Sequence, residues 1–218
     1  MVGDVMRLKK VRGASEAIAT CPYVVQDPKQ YRGDWQRLFE ERQPIHIEIG
    51  MGKGNFIIQN ALAYPHINFI GIEKFDSVIV RAIEKLQQLE QELPNLKLIR
   101  MDAEEIESVF DHEIETIYLN FSDPWPKNRH AMRRLTSPRF LKRYETLFQK
   151  EKRIVMKTDN RKLFEYSLIT LTDAAYHIKE LTLDLYQDNV KGNIPTEYEE
   201  RFANKGFNIY RMEVEKDD

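Results

Sequence analysis

Apolar residues in this chain come in short blocks whose spacing alternates between two periods. IHIEI (45–49), NFIGIE (68–73), NLKLIRM (95–101), TIYLNF (116–121) and RIVMKT (153–158) are strand-length and rich in β-branched side chains. Between them the spacing turns helical. Residues 54–63 form one such segment, and Val78, Ala82, Leu86 and Leu89, with Ile79 and Ile83 alongside, form another. AEEIESVF (103–110) predicts a short helix. Thr136-Ser137-Pro138 supplies a hydroxyl cap and a first-turn proline, and Phe140, Leu141, Tyr144, Leu147 and Phe148 follow on one face. A helix at 160–175 precedes two late strands, HIKELTLDL (177–185) and GFNIYRMEV (206–214), which a loop and a short helix separate. Residues 1–43 are polar and weakly periodic. They read as an N-terminal basic arm, carrying Arg7, Lys9, Lys10 and Arg12, with a lead-in helix at 34–41; residues 44–218 read as one domain.

Strand–helix alternation of this kind predicts an α/β fold: a doubly wound, mostly parallel, seven-stranded sheet with helices on both faces and an antiparallel end. Such sheets bind ligands beyond the carboxyl ends of their strands, where strand order reverses. The residues closing the predicted strands are nearly all polar: Glu48, Glu73, Asp102, Asn120 with Asp123, and Lys157–Asp159.

Composition narrows the classes. A chain of 218 residues, 42% hydrophobic, suits one well-buried domain. Its apolar runs are too short to cross a bilayer, and MVGDVMRLKKVRG lacks the apolar core of a signal peptide. Cys21 is the single cysteine, which excludes an intrachain disulfide, a Cys-rich zinc site and a cysteine-ligated iron–sulfur cluster. The five histidines (46, 66, 112, 130, 177) are scattered without a ligand spacing, so no metal is predicted. The expected compartment is cytoplasmic.

Charge is unevenly placed. The net is −2, yet Pro124–Tyr144 holds seven Lys/Arg (Lys127, Arg129, Arg133, Arg134, Arg139, Lys142, Arg143) and no acid. Phosphates are bound by patches, so this run is either a nucleic-acid-binding surface or a solvated helix face.

EIGMGKGNF places Gly50, Gly52 and Gly54 in a turn after the first strand. The spacing matches neither a Walker A loop nor the dinucleotide fingerprint, which disfavours a nucleotide-binding oxidoreductase. A glycine turn can also be merely structural. Glu73, 19 residues after Gly54, ends the second strand where an acid can accept both ribose hydroxyls of an adenosine ligand. Asp102 could read an adenine amino group, cap a helix, or do both. With Glu48 beside the glycines, the pattern resembles the S-adenosylmethionine pocket of Rossmann-like class I methyltransferases.

NFSDPWPKNRHAMRRLT, KTDNRKLFEYS and PTEYEERFANKG resemble the bacterial tRNA (guanine-N7-)-methyltransferase family, from about Ile45 to the C-terminus. The resemblance implies transfer of a methyl group from S-adenosyl-L-methionine to N7 of the variable-loop guanine, position 46, of tRNA. It implies that Glu48, Glu73, Asp102 and Asp123 contact the cofactor, joined by Gly50, Gly52, Gly54 and Asn120, with Asp123 also catalytic. Lys127, Asp159, Thr196, Glu197, Tyr198 and Glu199 are the implied substrate ligands, and Arg129, His130, Arg133 and Arg134 the implied RNA contacts. Asn128 and Met132 stand where the family often has lysine. Local alternatives exist: Thr196 with Glu199 is also a capping box, and Asp159 could cap the following helix. The partners expected are tRNA and S-adenosyl-L-methionine, with the protein a monomer or homodimer.

The chemistry suits these residues. Guanine N7 carries an unprotonated lone pair, so methylation needs alignment of the reactants and no base. A carboxylate beside the base can stabilise developing positive charge and read its N1/N2 edge. Pro124 and Pro126 stiffen the loop after Asp123, and Trp125 offers a flat wall or a core plug.

Overall fold

Ile45, Ile47 and Ile49 are all buried, and so are His46 and Glu48 between them. A strand buried on both faces belongs at the centre of a parallel sheet. The computed structural model of the protein, which describes residues 13–217, places it there. The strands are β1 (Ile45–Ile49), β2 (Asn68–Glu73), β3 (Leu96–Arg100), β4 (Ile114–Asn120), β5 (Phe148–Thr158), β6 (His177–Thr182) and β7 (Tyr210–Lys216). The helices are α1 (Ala14–Thr20), α2 (Asn55–Ala63), α3 (Asp76–Gln87), α4 (Pro138–Tyr144), α5 (Arg161–Asp173) and α6 (Glu197–Ala203). Arg7, Lys9, Lys10 and Arg12 lie outside the described residues.

The sheet has seven strands in the order β3-β2-β1-β4-β5-β7-β6. Its neighbours are parallel except that β7 runs antiparallel to both β5 and β6. The antiparallel end is therefore made by slotting the last strand between two others. After β6 the chain leaves the sheet, crosses its carboxyl edge through α6, and re-enters as β7. One apolar core packs α4 and α5 with Ile47, Ile72 and Ile117; a second, on the opposite face, packs α1, α2 and α3 with Phe69 and Leu98.

Several boundaries differ from the sequence expectation. The lead-in helix at 34–41 is one 3₁₀ turn, Trp35–Leu38. Trp35 is 0% exposed, donating its backbone N–H to Glu113 and its indole N–H to the Val109 carbonyl. Residues 23–25 bond to Leu98 of the β3 edge, and α1 buries Ala14 and Ile18. The described part of the expected arm is thus bound to the fold. A seven-residue helix with two buried positions is too short to show a period. Residues 103–108 are 3₁₀, and α4 stops at Tyr144, so Phe148 opens β5 instead of extending the helix face. Ser137 caps α4, its hydroxyl accepting from the Phe140 N–H.

Candidate active site

β1 and β4 are neighbours, and the helices that follow them, α2 and α4, pack on opposite faces. This is the reversal point at which such sheets open a crevice. A cavity of about 620 Å³ lies there, lined by Glu48, Gly50, Gly52, Asn120, Phe121 and the segment Thr196, Glu197 and Tyr198. Three adjacent strands contribute polar side chains at their carboxyl ends: Glu48 from β1, Asn120 from β4 and Lys157 from β5.

Asn120 donates to Glu48 Oε1 at 2.8 Å, and both residues are buried. Glu48 Oε2 and Asn120 Oδ1 have no protein partner. Two orphaned buried acceptors at one spot cost free energy unless a donor arrives. Burial pushes the Glu48 carboxyl up to about 7, against the Asn120 hydrogen bond and the Lys157 charge.

The glycine loop is held from the next strand. Gly52 N–H donates to Glu73 Oε2 at 3.2 Å, while Glu73 Oε1 accepts from the Lys74 and Phe75 amides. Burial raises the Glu73 pKa, and those three amides oppose it. Gly50 and Gly52 adopt φ values of +79° and +56°, where a side chain is strained. Gly54 shares that conformation, with φ +75°, and has a second role: a Cβ there would meet Ala82 Cβ at 2.7 Å, so it lets α2 approach α3, and it does not line the cavity. Glu73 and Asp102 also stand outside the cavity wall. Asp102 caps the 103–108 turn through the Glu104 N–H and pairs with Lys74 at 2.9 Å. Burial would raise its pKa, but these two partners carry it below the usual value.

The α6 side is locked from beneath. Lys157, 2% exposed, donates to Glu199 Oε2 at 2.5 Å, to Asn193 Oδ1 at 3.0 Å and to the Ile194 carbonyl at 2.9 Å. Glu199 is 0% exposed and also accepts from Asn193, Tyr186 and the Thr196 N–H. Thr196 and Glu199 complete the capping box. Glu199 is therefore committed inside the protein, and Lys157 is a site residue that the sequence marked only as a strand end. Their separation of 42 residues leaves no local signal. Glu197 pairs with Lys53 of the glycine loop and Lys85 of α3, and Asn55 donates to the Pro195 carbonyl. Tyr198 packs on Phe121, ring centroids 5.0 Å apart, and hydrogen-bonds Asp159. Asp159 does not cap α5; Asn160 does, accepting from the Leu163 N–H.

The fourth-strand loop is exposed but braced. Phe121 and Trp125 take φ values of +50° and +41°, a strained conformation for aromatic residues. Arg134 fixes this shape, donating to the Pro124 and Trp125 carbonyls at 3.0 Å each while its guanidinium lies over Tyr166. Trp125 is half-buried, with Arg133 over its ring and His130 at its edge, so it is a wall and not a core plug. Asp123, Lys127, Arg129 and Arg133 are exposed and lie outside the cavity wall. His130 is held below its ordinary value, by desolvation first and then by Arg133, Arg129 and Lys127. The basic run is also less free than its composition implies. Arg134 is a brace, Arg139 pairs with Glu104, and Arg143 engages the Glu104 carbonyl and Glu107.

Known proteins resemble this chain in sequence and in fold. Residues 42–212 match a family model described as "Putative methyltransferase". The tRNA (guanine-N(7)-)-methyltransferase of Lachnoclostridium phytofermentans is 50% identical, over 95% of this chain and 97% of its own. The protein of that name from Bacillus cytotoxicus is 52% identical over 88% of each chain, and the one from Listeria innocua 49% identical over 97% and 99%. Among solved structures, an antibiotic-related methyltransferase aligns with a TM-score of 0.67 at 16% identity, over 91% of this chain and 98% of that one. The 16S rRNA methyltransferase KamB aligns at 0.63 and 12% identity, over 85% and 94%. At these identities the solved structures speak for the fold, a Rossmann-like class I methyltransferase sheet, whereas the near-half-identical relatives span almost the whole chain. The chain belongs to the tRNA (guanine-N7-)-methyltransferase family.

Proposed function

We propose that this protein transfers the methyl group of S-adenosyl-L-methionine to N7 of a guanine in tRNA, the variable-loop guanine at position 46. The observation that carries the reading is the Glu48–Asn120 pair, whose two unpartnered oxygens are buried at the reversal point of a methyltransferase-type sheet. Both oxygens are acceptors. They suit a ligand bearing an ammonium group, and a carboxylate at this point repels a phosphate. S-adenosyl-L-methionine has an ammonium, a sulfonium and no phosphate, so the residues present fit it.

Bound there, the cofactor supplies an electrophilic methyl group. Glu48 and Asn120 would hold its ammonium, and the backbone of Gly50 and Gly52 would border it. Glu73 orients the glycine loop through the Gly52 N–H, and Asp102 closes the same edge of the sheet. Phe121 and Tyr198 form an apolar wall, and the Asp159 carboxylate fixes the Tyr198 hydroxyl. Asp123 begins the strained loop three residues after Asn120. Its exposed carboxylate is free to accept hydrogen bonds from the guanine N1/N2 edge and to offset charge gained by the base. Thr196 lines the cavity and Lys127 follows Asp123 in the same loop, where each would meet the substrate, while Arg129 and Arg133 would present cations to phosphates. Positioning dominates because N7 has no proton to lose, and alignment alone can contribute about 7–11 kcal/mol.

Unmodified tRNA incubated with methyl-labelled cofactor and then cleaved at 7-methylguanine tests the reading. Label at the variable-loop guanine is expected. Absence of label, or label on another atom, overturns it.

A further inference from the structure

Resting on that functional reading, we infer that the exposed face of α6 and the turn after it form a second RNA-contact surface, which stacks an unpaired base next to the target guanine. Helical spacing places Tyr198, Arg201 and Phe202 on one face, with Lys205 a turn further and Phe207 beyond it. Tyr198 and Phe202 are stacked, centroids 4.1 Å apart with 13° between planes, and Phe207 meets Phe202 edge-on at 5.4 Å. Tyr198 is 43% exposed and Phe207 52%. Such a cluster in water needs an occupant or a reason.

Charge identifies the occupant. Arg201 and Lys205 lie 5.9 Å and 5.3 Å from the Phe202 ring centre, and neither makes an ion pair among the described residues. Two acids of α6 are engaged elsewhere: Glu197 binds Lys53 and Lys85, and Glu199 is buried on Lys157, while Glu200 is exposed. Exposed aromatic rings interleaved with unpaired cations are the usual platform for unstacked bases with their phosphates. The platform is continuous with the reaction cavity, since Tyr198 and Arg201 line it. It stands on the α6 side of the cavity mouth, whereas the basic run approaches from the fourth-strand loop. That run has three of its seven cations, Arg134, Arg139 and Arg143, committed to the protein. A polyanion gripped on both sides of the mouth recovers the missing contacts. The aromatic side engages bases and the loop side engages phosphates. Pulling the neighbour of the target guanine onto Phe207 would also help hold that guanine out of its stack.

The test uses the full chain and transcribed tRNA. Binding is measured against salt for wild type, Phe207→Ala and a Lys205→Gln/Phe207→Ala pair, with cofactor affinity and melting temperature as controls. Phe207→Ala is expected to weaken tRNA binding about 5- to 150-fold, the range for losing one stacked base. Relative to Phe207→Ala, the Lys205→Gln/Phe207→Ala pair should lower the slope of log Kd against log salt by about 0.7–0.9. A benzophenone amino acid at position 207 should crosslink to tRNA within a few nucleotides of the methylated guanine. Unchanged Kd and salt slope, or crosslinking to a second copy of the chain, overturns the inference. Weakened binding in these variants, with wild type failing to label guanine N7, would sink the chemistry while leaving the surface standing. Wild-type labelling with variants that bind normally would do the reverse.

Discussion

The sheet side and the loop side of the cavity mouth are built on opposite plans. On the sheet side, Glu48, Asn120, Lys157 and Glu199 are buried and tied to one another or to backbone. On the loop side, Asp123, Lys127, Arg129 and Arg133 stand in solvent, and only the backbone beneath them is secured, through Arg134. A small cofactor can be enclosed, so its polar partners can be held rigid in a low dielectric, where each hydrogen bond counts for more. A large polyanion cannot be enclosed. Its partners work by exposed charge, and the protein invests rigidity in the main chain that carries them.

The contrast can be broken most sharply at Asp123. If the exposed carboxylate acts on the base, Asp123→Ala lowers kcat about 10²- to 10³-fold with tRNA and cofactor affinities nearly unchanged. Single-turnover kinetics and separate binding titrations check this, and retention of most activity removes Asp123 from the reaction. Next comes Lys157. Lys157→Met strands a buried Glu199 and should cost about 3–5 kcal/mol of folding stability in urea. Adding Glu199→Gln should recover most of that loss, because a neutral pair has no charge to desolvate. Arg133→Gln on the loop side should stay within about 0.5 kcal/mol of wild type. Equal losses at the two positions would erase the distinction.

A smaller effect than those at Asp123 and Lys157 is a pH dependence. Burial raises the Glu48 carboxyl to about 7, so cofactor affinity should climb as pH rises through that value and Glu48 ionises. Glu73 and Lys157 also bear on this carboxylate, the first raising its pKa and the second lowering it. Without ligand, a raised carboxyl pKa stabilises the fold below the usual carboxylate range, and that stabilisation is lost as pH rises through about 7. Glu48→Gln should flatten both curves. It should also weaken cofactor binding at pH 8 about 10- to 100-fold, the loss of one charge-assisted hydrogen bond. Calorimetric titration from pH 5.5 to 8.5 reads the affinity, and an unchanged pH profile would remove Glu48 from cofactor binding.

Much of the cavity was legible because its parts are local. A strand that ends in Glu48 and enters G-x-G-x-G, or in Asn120 three residues before Asp123, carries its meaning in neighbouring positions. Glu199 shows the limit. Its spacing from Thr196 correctly marked a capping box, yet the same carboxylate anchors Lys157, a role outside any local pattern. Arg134 shows another limit. Within the basic run it is indistinguishable from Arg133, but it turns inward onto the Pro124 and Trp125 carbonyls while Arg133 stays exposed on Trp125. Gly54 looks like its companions in the loop and proves to be a helix-packing glycine.

The sequence by itself determined the order of strands and helices from β1 to β7, the polar strand ends and the distinctive stretch after Asn120. These follow from periodicity and turn chemistry, which act over a few residues. The tertiary structure alone decided that Trp35 enters the core, that β7 slots between β5 and β6, and that α6 closes the cavity on a buried Lys157–Glu199 pair. The physical reason is that a side chain's partner, its burial and the charge it keeps depend on which distant strands become neighbours.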